Sequence, residues 1–92
     1  MRRRIGVDLD GTLCVGKHWK TPEQALKAEP IQDMIDHVRE YFYKDDFIII
    51  YTARQNWLMS ATFEWLDKHN VKYHAVMNKK CPLDILIDDT AI

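Results

Sequence analysis

The sequence has no long apolar run, no large excess of charge of either sign, and only two cysteines. No stretch approaches the ~20 apolar residues that cross a bilayer as a helix, and no apolar segment of the kind a signal peptide needs follows Arg2-Arg3-Arg4. Thirteen Lys and Arg against fourteen Asp and Glu leave a formal net charge of −1, so there is no electrostatic case for nucleic acid or an anionic membrane as the main partner. The arginine triplet is too short for a binding arm and is expected to flank the first strand in solvent. Cys14 and Cys81 lack the spacing of a disulfide framework, and reduced thiols in a cytoplasmic protein are expected. A zinc site built on Cys14 and His18 would need two further ligands at motif spacing, and none is there. Repeats, low-complexity tracts and linkers are also missing. The 92 residues, 47% hydrophobic and 29% charged, have an ordinary globular composition and make one domain, 1–92.

Strand and helix patterns alternate along the chain. Arg4 to Leu9 is a short apolar strand. Leu13 to Glu29 has no clean period, although Glu23 to Ala28 could form a turn or two of helix. Ile31, Met34, Ile35, Val38 and Phe42 then fall on one helical stripe, with Pro30 suited to the first turn. Phe47 to Tyr51 is continuously apolar, as a strand buried on both faces should be. Asn56 is placed to cap a second helix that turns Leu58, Ala61, Trp65 and Leu66 inward. Val71 to Val76 and Ile85 to Ile87 read as two more strands. This order predicts a parallel α/β sheet with both main helices on one face, because right-handed crossovers run the same way. Ligands of such sheets bind at the carboxyl ends of the strands.

Polar residues of restricted type gather at those ends. The first strand delivers Asp8 and Asp10, the second Thr52 and Arg54, and the last Asp88 and Asp89, with Lys79 and Lys80 ahead of it. Two like charges about 4 Å apart repel by roughly 4 kcal/mol at an effective dielectric near 20. Several such pairs rival the whole stability of a small domain, roughly 5–15 kcal/mol. Protons or a cation must relieve the crowding. An all-oxygen donor set suits a hard divalent ion, and Mg2+ is the one that commonly accompanies phosphates.

The ordered segments "DLDGTL", "IIIYTAR", a lysine and "LIDDTAI" resemble the four motifs of the haloacid dehalogenase-like (HAD) phosphatase superfamily. They are similar in particular to its short, capless members from capsular polysaccharide clusters and phage genomes. The resemblance implies a Rossmann-like core with a short parallel sheet of about four strands in the order 3-2-1-4, two main helices and no cap domain. It also implies an Mg2+-dependent phosphomonoester hydrolase. In that reading Asp8 is the nucleophile that forms an aspartyl-phosphate, and Asp10 is the general acid and then the base. One carboxylate cannot attack and also supply the proton, so two are needed. Thr52 and Lys80 complete the catalytic set. Leu9, Gly11, Thr12, Ala53, Arg54 and Lys79 would line the phosphate, with Gly11 letting backbone N–H groups face its oxygens. Asp8, Asp10 (through its carbonyl oxygen), Asp88 and Asp89 would hold Mg2+. The substrate would be a phosphorylated small molecule or an accessible phosphoryl group on a larger one. Arg54 could equally contact substrate or solvate a loop. His18 and Trp19 are the substrate-contact candidates from the irregular segment. Trp57 and Trp65 read as packing residues.

Two departures from the pattern carry expectations of their own. The chain ends three residues after Asp89, and Met77 to Asp84 is too short to carry a crossover helix. One sheet face would therefore be covered only by Leu13 to Glu29, and a homodimer could hide what stays open. The alternative function is a non-enzymatic phosphate-binding or interaction module. A phosphomutase would need a cap to retain its intermediate. A response-regulator receiver would need an acid at the end of its third strand, where this chain has "HAVMN".

Overall fold

The computed structural model describes residues 2–78 and the backbone of 85–87. Its elements run β1 (Arg4–Asp8), α1 (Pro22–Leu26), α2 (Gln32–Tyr43), β2 (Phe47–Tyr51), a 3-10 turn (Asn56–Leu58), α3 (Met59–Lys68), β3 (Ala75–Met77) and β4 (Ile85–Ile87). All strand pairs are parallel, in the order β3-β2-β1-β4. Ile5 lies beside Ile48 on one side and Ile85 on the other, and Asp8 lies beside Tyr51. The carboxyl ends of β1 and β2 therefore meet at one edge. The chain is a small α/β domain of Rossmann-like character, and among the described residues no helix is long and apolar enough to cross a membrane.

The core forms because period two sends Ile5, Val7, Ile48 and Ile50 to one sheet face, where Ile35 and Val38 of α2 and Trp65 and Leu66 of α3 meet them. Leu9, Leu13, Cys14 and Ala28 belong to the same cluster. The irregular Leu13–Glu29 segment therefore lies on the helical face, where the Trp65 indole N–H donates to the Ala28 carbonyl at 2.8 Å. It was expected on the opposite face. There Ile49 and Tyr51 of β2 are only 5% and 8% exposed.

Local chemistry moves several expected boundaries. α1 starts at Pro22 because the Thr21 hydroxyl accepts from the Gln24 N–H at 3.1 Å, a cap that the expected Glu23 start overlooked. Pro30 sits outside α2, where it bridges Cys14, and Ile31 occupies the cap position. Asn56 opens a 3-10 turn and makes no side-chain cap for α3. β3 begins at Ala75, later than the expected Val71, because the His74 ring intervenes. Its Nδ1 accepts the Ile48 N–H at 3.0 Å, and the ring stacks between Phe42 and Phe47, each centroid 4.8 Å away. Arg3 is exposed, as expected of a strand end, and it is also paired. It donates to both oxygens of the buried Asp46, at 3.3 and 3.1 Å, and ties β1 to the turn before β2.

Candidate active site

β1 stops at Asp8, and the chain curls at once. The Leu9 carbonyl accepts N–H groups from Thr12, Leu13 and Cys14 at 3.3, 2.9 and 3.3 Å. Gly11, at φ 84°, supplies the left-handed residue this turn requires, and its N–H donates to the Cys14 carbonyl at 2.9 Å. The Leu9 N–H goes to the Tyr51 carbonyl at 3.2 Å. The N–H groups of Leu9, Gly11 and Thr12, expected to cradle a phosphate, are thus committed to internal carbonyls. Leu9 and Thr12 are themselves buried.

The curl carries Asp10 out of strand alternation and into a nest of donors. Arg54 Nε reaches both carboxylate oxygens at 3.1 and 3.2 Å, and Nη2 reaches Oδ1 at 2.7 Å. Trp19 Nε1 donates to Oδ1 at 2.8 Å. The Thr52 hydroxyl sits 3.5 Å from Oδ2, the outer limit of a hydrogen bond, and accepts the Arg54 N–H at 3.1 Å. Burial pushes the Asp10 carboxyl up, but the hydrogen bonds of Arg54 and Trp19 and the Arg54 charge outweigh it and hold the group below the usual carboxylate range. Cys14 Sγ lies 3.6 Å from Oδ1. Burial, reinforced by the Asp10 charge, pushes this thiol up to about 12.

Arg54 solvates no loop. Its side chain is 2% exposed, with Nη1 donating to the buried Thr62 hydroxyl at 2.8 Å, and that hydroxyl donates in turn to the Leu58 carbonyl at 2.8 Å. The Trp19 ring lies over the guanidinium at 5.7 Å. Residues 10, 14, 19, 54 and 62 therefore form one polar network, of which the sequence patterns marked Asp10, Arg54 and, as a substrate contact, Trp19. Nothing in their spacing pointed to Cys14 or Thr62.

Beside this network is a cleft of about 320 Å³ lined by Asp8, Asp10, Lys17, His18, Trp19, Ala53, Arg54, Gln55, Trp57 and Leu58. Both carboxylates of "DLD" reach it, as does the irregular segment with its two substrate-contact candidates. Trp57, expected to pack, stands half-exposed in the wall. Lys79, Lys80, Asp88 and Asp89 lie outside the described residues. Among the described residues no three acids, histidines or cysteines gather as metal ligands. Asp8 is an oxygen donor at the end of β1, and β4 runs beside it with Ile87 next to Val7.

No family model and no curated protein matches the sequence. Solved structures do match. A Vibrio cholerae protein is 30% identical, over 98% of this chain and 82% of its own, with a TM-score of 0.74. A conserved protein of Bacteroides thetaiotaomicron is 19% identical over 98% of this chain and 78% of its own, with a TM-score of 0.75. Two structures of the Pnkp1/Rnl/Hen1 complex, one described as an RNA repair complex, match at 19% and 18% identity with TM-scores of 0.73 and 0.74. The match covers 86% of this chain but only 29% and 26% of theirs, so this chain spans less than a third of their length.

Proposed function

We propose that this chain, which belongs to the same family as the Vibrio cholerae protein and has a HAD-like fold, is a Mg2+-dependent phosphomonoesterase. The observation that carries the reading is that Asp8 and Asp10 line one cleft, with the Asp10 carboxylate held there by Arg54 and Trp19. Asp8 would attack phosphorus as the ester P–O bond breaks, while the Asp10 carboxyl gives its proton to the leaving oxygen. Water would then attack phosphorus as the bond to Asp8 breaks, with Asp10 taking the water's proton and inorganic phosphate departing. The donors around Asp10 favour its ionised form and suit this second step. An arriving phosphate ester places negative charge beside the carboxylate and raises its proton affinity for the first step.

Asp8 and the Asp10 carbonyl, with Asp88 and Asp89, would hold Mg2+. The ion would offset the repulsion between an anionic nucleophile and an anionic substrate. Lys80, with Lys79, would balance charge on the transferring group. Thr52 in this arrangement contacts Asp10, and so it positions the acid. The test is a panel of phosphomonoesters with Mg2+. Turnover in the wild type and none in a folded Asp8→Asn variant supports the reading. Near-normal rates in that variant would overturn the aspartyl-phosphate route.

One observation favours a second reading, an interaction module without catalysis: the N–H groups that would grip a phosphoryl oxygen are spent on Leu9, Tyr51 and Cys14 carbonyls. Absence of both turnover and binding across the phosphomonoester panel would select it.

A further inference from the structure

The cleft lining is chemically mixed. Asp8 and Asp10 contribute carboxylates, and Ala53, Trp57 and Leu58 contribute an apolar wall. Leu58 is buried and packs with Ala25 and Ala61, which fixes that wall. Trp57 is 51% exposed, yet its ring is held, because Nε1 donates to the Gln55 side-chain oxygen at 3.0 Å. That bond satisfies the polar edge of the indole and occupies the amide oxygen of Gln55, so what the side chain has left to offer is apolar ring surface. Trp19 is fixed as well, by its bond to Asp10 and by Arg54 beneath its ring. A volume near 320 Å³ is at the low end of the ~300–1,000 Å³ typical of small-molecule sites and has room for a phosphoryl group and one ring system.

We infer that the Trp57 wall of the cleft is a leaving-group subsite that stacks a flat aromatic ring, which makes the substrate class phosphomonoesters of ring-bearing alcohols such as nucleoside monophosphates. The inference rests on the phosphomonoesterase reading. A sugar ring can also stack on an indole, but its hydroxyls need polar partners. The side chains of Ala53, Trp57 and Leu58 present no acceptor to such hydroxyls, and the Gln55 oxygen beside them already accepts from Trp57.

Uridine 5′-monophosphate and ribose 5-phosphate share a primary alkyl phosphate, so comparing them isolates the base. Stacking on one aromatic side chain is worth about tenfold in affinity at the modest end of its range. The wild type should therefore show a KM about tenfold lower for the nucleotide. In Trp57→Ala that ratio should fall toward one, and in Trp57→Phe, which keeps a flat face, most of it should survive. Equal KM values in the wild type, or a preference that persists in Trp57→Ala, would overturn the subsite while leaving the hydrolase intact. A Trp57 dependence larger for glucose 6-phosphate than for the nucleotide would overturn the aromatic assignment. If no ester is turned over, the hydrolase reading fails, and quenching of tryptophan fluorescence by the nucleotide decides the subsite. Binding that needs both the base and Trp57 supports it; absence of such binding refutes it.

Discussion

Replacing Arg54 with methionine should destabilise the protein by about 3 kcal/mol. The guanidinium spends its donors on Asp10 (2.7, 3.1 and 3.2 Å) and on Thr62 (2.8 Å), with a side-chain exposure of 2%. Breaking a buried ion pair by removing one partner costs ~3–5 kcal/mol, mostly because the other charge is left uncompensated. The Asp10 side chain is 17% exposed and keeps the Trp19 N–H, which places the cost at the lower end of that range. Thr62 loses little, since its hydroxyl still donates to Leu58. A domain of this size has roughly 5–14 kcal/mol in total at ~0.05–0.15 kcal/mol per residue, so about a fifth to two thirds of its stability would go. At ~4–8 °C per kcal/mol, the melting temperature should drop by about 12–24 °C.

Asp10→Asn should cost a similar amount, because it strands the buried cation. The double variant should lose less than the sum of the two, with a coupling of about 1–3 kcal/mol. Arg54→Lys should fall between, since one ammonium group cannot serve Asp10 and Thr62 together. Urea denaturation of the four proteins measures the cycle. Single variants that each lose under about 1 kcal/mol and combine additively would refute the clamp.

Other regions give independent expectations. The hydrogen bonds and charge of Arg3 hold the Asp46 carboxyl below its ordinary value, so its pairing adds stability above roughly pH 4 and loses it as pH falls through the folded value. Asp46→Asn should therefore melt lower than the wild type at pH 7, with the gap closing as the pH falls below the ordinary carboxylate range; a gap independent of pH would be inconsistent with the pair. In a Cys81→Ser background, the Cys14 thiol, buried and pushed up to about 12, should resist a disulfide reagent at pH 8 until urea unfolds the chain, and rapid native labelling would contradict its placement. Gly16 sits at φ 102°, and a methyl group there would meet Trp19 Cη2 at 2.8 Å. Gly16→Ala should cost about 1–3 kcal/mol and alter tryptophan fluorescence, and an unchanged melting curve would argue against that contact.

Continuous apolarity made β2 legible, and the Asp-x-Asp-Gly signal at the end of β1 made the site's location legible, because both depend on neighbours along the chain. What escaped depends on contacts across it. Arg54 follows a buried strand by three residues and looks like a loop residue until α3 presents Thr62 to its guanidinium. His74 delays β3 by offering a ring nitrogen where a strand would offer a carbonyl, and no periodicity encodes that exchange. Trp57 and Trp65 are alike as sequence letters. One is half-exposed and lines the cleft; the other is fully buried and bonded to Ala28.

The two acids that read as a repulsive pair are separated by backbone as much as by charge. Had β1 continued, period two would have left Asp8 and Asp10 side by side on one face. The strand ends at Asp8 instead, and the Leu9 carbonyl gathers three N–H groups that swing Asp10 toward α3. There it meets its own cation. Opposite charges at about 4 Å attract by roughly 4 kcal/mol at an effective dielectric near 20, the same size as the repulsion that seemed to demand an external ion. Part of the charge relief is thus built into the chain. On the proposed reading, a divalent ion at this edge would take Asp8 as a ligand, while the Asp10 carboxylate keeps its pair with Arg54. Asp8→Asn should accordingly weaken the Mg2+-induced rise in melting temperature more than Arg54→Lys does, and the opposite ranking in a thermal-shift titration would place the ion on Asp10's side of the turn.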